Sequence, residues 1–129
     1  MIWTPRTTVA AVIERDQQFL MVEEMIGSEL KLNQPAGHLE DGESLIEAVI
    51  RETLEETAWQ FTPESLIGIY SGSLGEKLDR PLDSDIHQAV WLDADTIKQR
   101  RSQFRSPLVE QCLQDYLAGK RYPLDLLTD

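Results

Sequence analysis

Cysteine is almost absent from this sequence. Cys112 stands alone, so neither an internal disulfide nor a thiolate-ligated zinc site is available. It shares the apolar face of an expected helix with Leu108, Val109, Leu113 and Tyr116, and reads as an inert buried thiol rather than a nucleophile. Long apolar runs are missing too, for no stretch approaches the roughly 20 residues of a membrane span. The start Met1-Ile2-Trp3-Thr4-Pro5-Arg6 lacks the basic-then-apolar layout of a secretory signal. A cytoplasmic location and no membrane partner are expected. Cations are scarce: 12 Lys and Arg face 23 Asp and Glu, a net charge of −11. That balance opposes the counterion release behind binding to long nucleic acid. It also repels small anionic substrates unless some acids hold divalent cations that reverse the local field. With no repeat, low-complexity tract or linker, a single domain over residues 1–129 is expected.

What is present alternates strand-like and helix-like segments. Residues 7–13 are β-prone and nearly continuously apolar, 14–18 form a polar turn, and Phe19-Leu20-Met21-Val22 resumes the strand pattern. Residues 23–32 read as an irregular acidic connection, followed by a loop punctuated by Pro35 and Gly37. Ser44 and Glu47 then form a capping-box pattern that starts a helix running to Thr57. Ile46, Val49, Ile50, Thr53 and Leu54 follow the spacing of a buried stripe on it. Residues 66–70 and 89–92 look like strands, and 93–100 and 107–118 like helices, the last closed by Gly119. Strands interleaved with helices indicate an α/β domain.

The chemistry points to the helix beginning at Ser44. At about 100° per residue, Glu52, Glu55 and Glu56 fall within a sector of about 100°, away from the apolar stripe. Like charges so close raise one another's pKa unless a cation neutralises them. Oxygen-only, carboxylate-rich clusters suit Mg²⁺ or Mn²⁺, which also bind phosphate oxygens. The plainer reading is a solvated acidic face, with Glu47–Arg51 and Arg51–Glu55 as ordinary i, i+4 pairs.

The wider spacing favours the metal. Gly37, Glu43, Arg51-Glu52-Thr53, Glu55-Glu56 and Ala58-Trp59 stand at intervals that closely resemble the Nudix box. The resemblance implies an α/β/α sandwich around a mixed β-sheet, with Glu52, Glu55 and Glu56 as catalytic carboxylates and divalent-metal ligands. It further implies Gly37 as a carbonyl ligand, and Glu43 and Arg51 as a structural pair holding the loop on the helix. Two positions depart from the pattern. Thr53 replaces a bulky aliphatic, and its hydroxyl is expected to bond the preceding turn. Ala58 replaces a glycine, so a left-handed turn there would be mildly strained.

Asn33-Gln34-Pro35-Ala36-Gly37-His38-Leu39-Glu40, Asp83-Ser84-Asp85-Ile86, Arg105-Ser106-Pro107-Leu108-Val109 and Arg121-Tyr122-Pro123-Leu124 further resemble the phosphatase NudJ branch of the family. This implies a metal-dependent hydrolase of nucleoside tri- and diphosphates and of thiamine or hydroxymethylpyrimidine pyrophosphate, with Mg²⁺ or Mn²⁺ as cofactor. Against that branch the strand region 71–82 reads as shortened, as if about twenty residues had been excised. A missing strand would open one pocket wall, expose an edge and invite dimerisation or strand exchange, so a monomer or a homodimer is expected. The competing reading is therefore a catalytically impaired Nudix-fold nucleotide-binding or regulatory module. His38, Glu40 and Asp41 read as surface or metal-water neighbours, and Lys31 and Arg6 as cations to test against phosphate. Trp3, Trp59, Trp91 and Tyr70 are expected mostly in the core. The base is sought in Glu55 or Glu56 before Asp83 or Asp85.

Overall fold

The computed structural model describes residue 2, residues 5–71 and residues 85–128. Trp3, Asp83 and nearly all of the shortened segment lie outside the described residues. The organising strand is β3 (Gln18–Ile26), flanked in the sequence by β1 (Thr8–Ala10), β2 (Glu14–Arg15), β4 (Glu29–Asn33) and β5 (Ala36–His38). α1 (Leu45–Thr57), β6 (Asp85–Asp93), α2 (Ala94–Gln99) and α3 (Pro107–Leu117) follow. One edge of β3 pairs with β2 and then β4, and the other with β6, while β1 and β5 form a separate ladder. These ladders are antiparallel, and among the described residues a single bridge, Leu32 to Phe104, runs parallel.

Alternation along β3 sends successive side chains to opposite faces. Phe19 and Met21 join Leu32, Ile97 and Val109 in the core that α2 and α3 close, with Tyr116 edge-on to Phe19. Leu20 and Val22, opposite Trp91 and Ala89 on β6, line the other face, and both are buried. Helix α1 packs over that side against β1, β5 and β6. The result is a three-layer α/β/α sandwich, in which each fully buried Leu, Val or Ile contributes about 1.5–3 kcal/mol.

Several of the expected elements differ: the 7–13 strand shrinks to β1, and the expected loop contains β5. Residues 23–32 form a hairpin, not an irregular connection, with β3 turning into β4 around Gly27, whose φ is 63°. Glu23 and Glu24 disguised the strand, because isolated charge disfavours a core position. Arg100 neutralises Glu23 at 2.8 Å and Arg105 neutralises Glu24, and both arginines come from far along the chain. Residues 66–70 form no strand: Leu66 alone pairs, with Tyr122, and Ile69 is 79% exposed. Strand propensity needs a neighbour to pair with, and no other strand borders this segment among the described residues. The tight turn at Asp16 and Gln17, with φ of 53° and 64°, also leaves Glu14 and Arg15 inside a strand, so the expected polar turn is shorter than 14–18.

Helix α1 starts as its sequence requires. The Ser44 hydroxyl accepts from Glu47 N at 3.1 Å and the Glu47 carboxylate accepts from Ser44 N at 2.8 Å, closing the capping box. The expected stripe holds in part: Thr53 is fully buried and Ile46, Val49 and Ile50 are half-buried, whereas Leu54 is 43% exposed and Ala48, outside the stripe, is fully buried. The Thr53 hydroxyl, expected to bond the preceding turn, has no hydrogen-bond partner among the described residues. Ala58 ends the helix at φ 64°, ψ 10°, a left-handed conformation that works against its Cβ. Ala58→Gly is expected to raise unfolding free energy by about 1 kcal/mol in urea titration. Thr53→Val, which removes an unpartnered buried hydroxyl at nearly constant shape, is expected to add a further stabilisation of about 1 kcal/mol.

Candidate active site

Arg51 sits at the hub of the loop between β5 and α1. Its Nε and Nη2 donate to the two oxygens of Glu43 at 2.9 and 2.7 Å, a bidentate clamp, and Nη2 also reaches the His38 carbonyl at 3.1 Å. The remaining nitrogen, Nη1, donates to Glu52 at 2.9 Å and lies 3.3 Å from Glu55. One guanidinium thus fastens the loop to the helix while touching two of the three helix carboxylates. The same hydrogen bonds hold the Glu43 carboxyl below the usual carboxylate range and push the Arg51 guanidinium further up.

Glu56 points the other way, into the fold, where its carboxylate accepts from Ala36 N at 2.9 Å. Burial, then the charges of Glu52, Glu24 and Glu55, push its carboxyl up to about 8 against the pull of the Ala36 N–H. Gly37, adjoining Ala36, leaves the space Glu52 occupies: a Cβ there would fall 2.1 Å from the Glu52 carboxyl carbon. Ala48, one turn before Glu52, is fully buried. The acidic side of α1 is therefore folded against the 36–38 strand rather than presented whole to solvent.

These residues fit a hard divalent cation. The donors are oxygens alone, and the half-buried Glu56 carboxylate lies within reach of three other carboxylates, an arrangement that positive charge relieves. As the side chains stand, no three His, Cys, Asp or Glu side chains close around a common point among the described residues. Arg51 Nη1 lies against Glu52 and Glu55 instead.

Of the other residues weighed from sequence, Glu40 stays at the cluster and the rest fall away from it. Among the described residues the exposed His38 ring meets only the Thr8 hydroxyl, at 3.4 Å, and Glu40 lies 3.6 Å from Arg51 Nη1. Asp41 and Arg6 are exposed, Lys31 pairs with Glu29 at 3.3 Å, and Asp85 opens β6 opposite Met25. Trp59 is 42% exposed rather than core, edge-on to Trp91 at 5.6 Å. Tyr70 is exposed rather than core and donates to Asp115 at 2.6 Å. Cys112 is buried, and burial pushes its thiol up. Sequence reasoning missed Glu24 and its partners Arg105 and Asn33, which adjoin the cluster. Asn33 and Arg105 stood in stretches that resemble the family branch, and Glu24 in an acidic segment read as a connection.

A family model described as the NUDIX domain matches residues 4–112. The chain is a Nudix hydrolase. It is 37% identical to phosphatase NudJ of Escherichia coli K12 over 144 aligned positions, covering 99% of this chain and 94% of that protein. Because 144 exceeds the 129 residues of the chain, the alignment leaves gaps in it. A NUDIX hydrolase structure from Nitrosomonas europaea superposes with a TM-score of 0.88 at 47% identity, covering 98% of this chain and 97% of that one. The ORF135 protein of Escherichia coli shares the fold at a TM-score of 0.65 and 20% identity, with 88% and 89% covered. The sandwich expected from the box is thus the architecture found, and no described helix of the hydrolase is long and apolar enough to cross a membrane.

Glu56 gives the metal-free hydrolase a distinctive pH response. Its carboxyl titrates near 8 when folded and near its ordinary 4.5 when unfolded. Across that window the folded state holds the extra proton, so this group's contribution to stability falls as pH rises. Urea titrations without metal should show Glu56→Gln gaining stability relative to wild type from pH 5 to pH 8. A constant difference between the two would show that Glu56 titrates normally.

Proposed function

We propose that the 129 residues form one Nudix hydrolase domain that cleaves phosphoanhydride bonds in nucleoside tri- and diphosphates. Small pyrophosphates, such as those of thiamine or hydroxymethylpyrimidine, belong to the same substrate range. Mg²⁺, with Mn²⁺ as a substitute, is held by Glu52, Glu55, Glu56 and the carbonyl of Gly37. The observation that carries this reading is the half-buried Glu56 carboxylate, anchored at 2.9 Å by Ala36 N beside Glu52 and Gly37. Its elevated carboxyl is an arrangement that a cation relieves. The likeness to phosphatase NudJ along nearly the whole chain supports the substrate class.

When bound, the ion supplies Lewis-acid polarisation of the phosphoryl oxygens, a water of lowered pKa and neutralisation of the leaving diphosphate. The chain's own groups provide geometry and proton handling. Arg51 and Glu43 keep the Gly37 loop on the helix. Glu52 is held by Arg51 and by the space at Gly37, which orients one carboxylate before any ligand arrives. Glu56 is fixed at the floor by Ala36 N. Glu55, the exposed member of the set, faces solvent and takes the proton from the attacking water. The acidic surface keeps long nucleic acid away, so substrates are small molecules, met by a cytoplasmic monomer or homodimer.

The gaps against phosphatase NudJ favour one competing reading, a module that binds nucleotide or pyrophosphate without turnover. The deciding experiment measures orthophosphate and pyrophosphate release from a nucleotide and thiamine-pyrophosphate panel, with and without Mg²⁺, beside Glu56→Gln. The expected result is Mg²⁺-dependent turnover reduced at least about 100-fold in the variant with its fold retained. Binding without release from the folded wild type would select the module, and an unimpaired variant would end the metal-helix mechanism.

A further inference from the structure

The floor of the site continues beyond the helix. Glu24 lies on the face of β3 that α1 covers, is 3% exposed, and is ion-paired through its Oε2 to Arg105. Its Oε1 accepts from the Asn33 side-chain amide at 3.2 Å, and the Asn33 side-chain oxygen accepts from Gln34 N at 2.9 Å. From Gln34 the chain runs through the buried Pro35 to Ala36, whose N–H holds Glu56. On its other side the same connection is pinned to Ala11: Ala11 N donates to the Pro35 carbonyl at 2.9 Å, and Gln34 Nε2 donates to the Ala11 carbonyl at 3.3 Å. An unbroken set of contacts therefore leads from the Arg105 guanidinium to the Glu56 carboxylate. Arg105 is itself fixed by its backbone N–H, which donates to the Leu32 carbonyl at 2.9 Å.

A buried ion pair rarely adds stability over apolar side chains of similar volume. What this one adds is a definite position for the 33–36 connection, because both Glu24 oxygens are committed to fixed partners. We propose that Arg105, Glu24 and Asn33 are positioning residues for Glu56, acting through the 33–36 connection and the Ala36 N–H. The role rests on the reading that Glu56 serves the metal site. Groups outside the ligand shell that orient ligands influence metal affinity and turnover 10- to 100-fold when removed.

The test uses the full chain and three variants. Asn33→Ala cuts the network at the connection and leaves the ion pair intact. Glu24→Gln keeps an oxygen for Asn33 and removes the charge facing Arg105. Arg105→Lys is the conservative control that keeps a cation against Glu24. Mn²⁺ binding, followed by its paramagnetic signal without substrate, is read beside kcat and KM on the best substrate and the thermal midpoint. Asn33→Ala and Glu24→Gln are expected to weaken Mn²⁺ binding and lower kcat by about 10- to 100-fold. KM should stay within about twofold, since substrate binding is not the step disturbed. Arg105→Lys should recover much of both values.

A merely structural network would lower the thermal midpoint and leave Mn²⁺ affinity and kcat of the folded fraction unchanged. That outcome in Asn33→Ala overturns the positioning role while the proposed function stands. A wild-type chain that neither binds Mn²⁺ nor releases phosphate overturns both. If Glu24→Gln fails to fold, Asn33→Ala alone decides, since it leaves the buried charges paired.

Discussion

Arg51 is the group on which the arrangement of this site depends. Three of its nitrogens reach Glu43, Glu52, Glu55 and the His38 carbonyl, so loop and helix share a single planar cation. A guanidinium suits this task because its donors are fixed in a fork and it keeps its charge at any ordinary pH. A lysine at the same place would offer one point charge and no bidentate clamp. With the loop fastened, Gly37 can approach α1 closely enough for the Glu52 carboxylate to fill the space where a side chain would stand. Ala36 is brought within hydrogen-bond distance of Glu56 by the same approach.

A chain carrying −11 net charge places its few cations with economy. Arg51 serves Glu43 and the helix carboxylates Glu52 and Glu55, Arg100 the buried Glu23, and Arg105 the buried Glu24. Arg100 and Arg105 neutralise charges that burial alone would make untenable. Glu56 is the exception. It is partly buried, its charge is opposed by three neighbouring carboxylates, and no arginine is paired with it among the described residues. That uncompensated charge is the observation on which the proposed metal site rests.

Legibility of the fold followed the range of the forces involved. The α1 start was readable because the capping box is closed by Ser44 and Glu47 alone. The caps of α2 at Asp93 and of α3 at Ser106, and the left-handed turn at Ala58, are likewise local. The β3–β4 hairpin was not readable, since Glu23 and Glu24 enter the interior only because Arg100 and Arg105 meet them from the far end of the chain. Residues 66–70 failed in the opposite sense. Their apolar, β-prone composition suggested a strand, and the structure supplies one bridge partner, Tyr122.

The sequence by itself determined the family, the helix that carries Glu52, Glu55 and Glu56, and the spacing that sets Gly37, Glu43 and Arg51 around it. Helical periodicity and short-range caps encode these features within a few residues. Only the tertiary structure decided that Glu56 turns inward onto Ala36 N, that Thr53 buries an unpartnered hydroxyl, and that Glu24, Asn33 and Arg105 continue the floor of the site. Those outcomes depend on which distant groups share a buried volume. Desolvation and ion pairing act between residues that only the completed fold brings together.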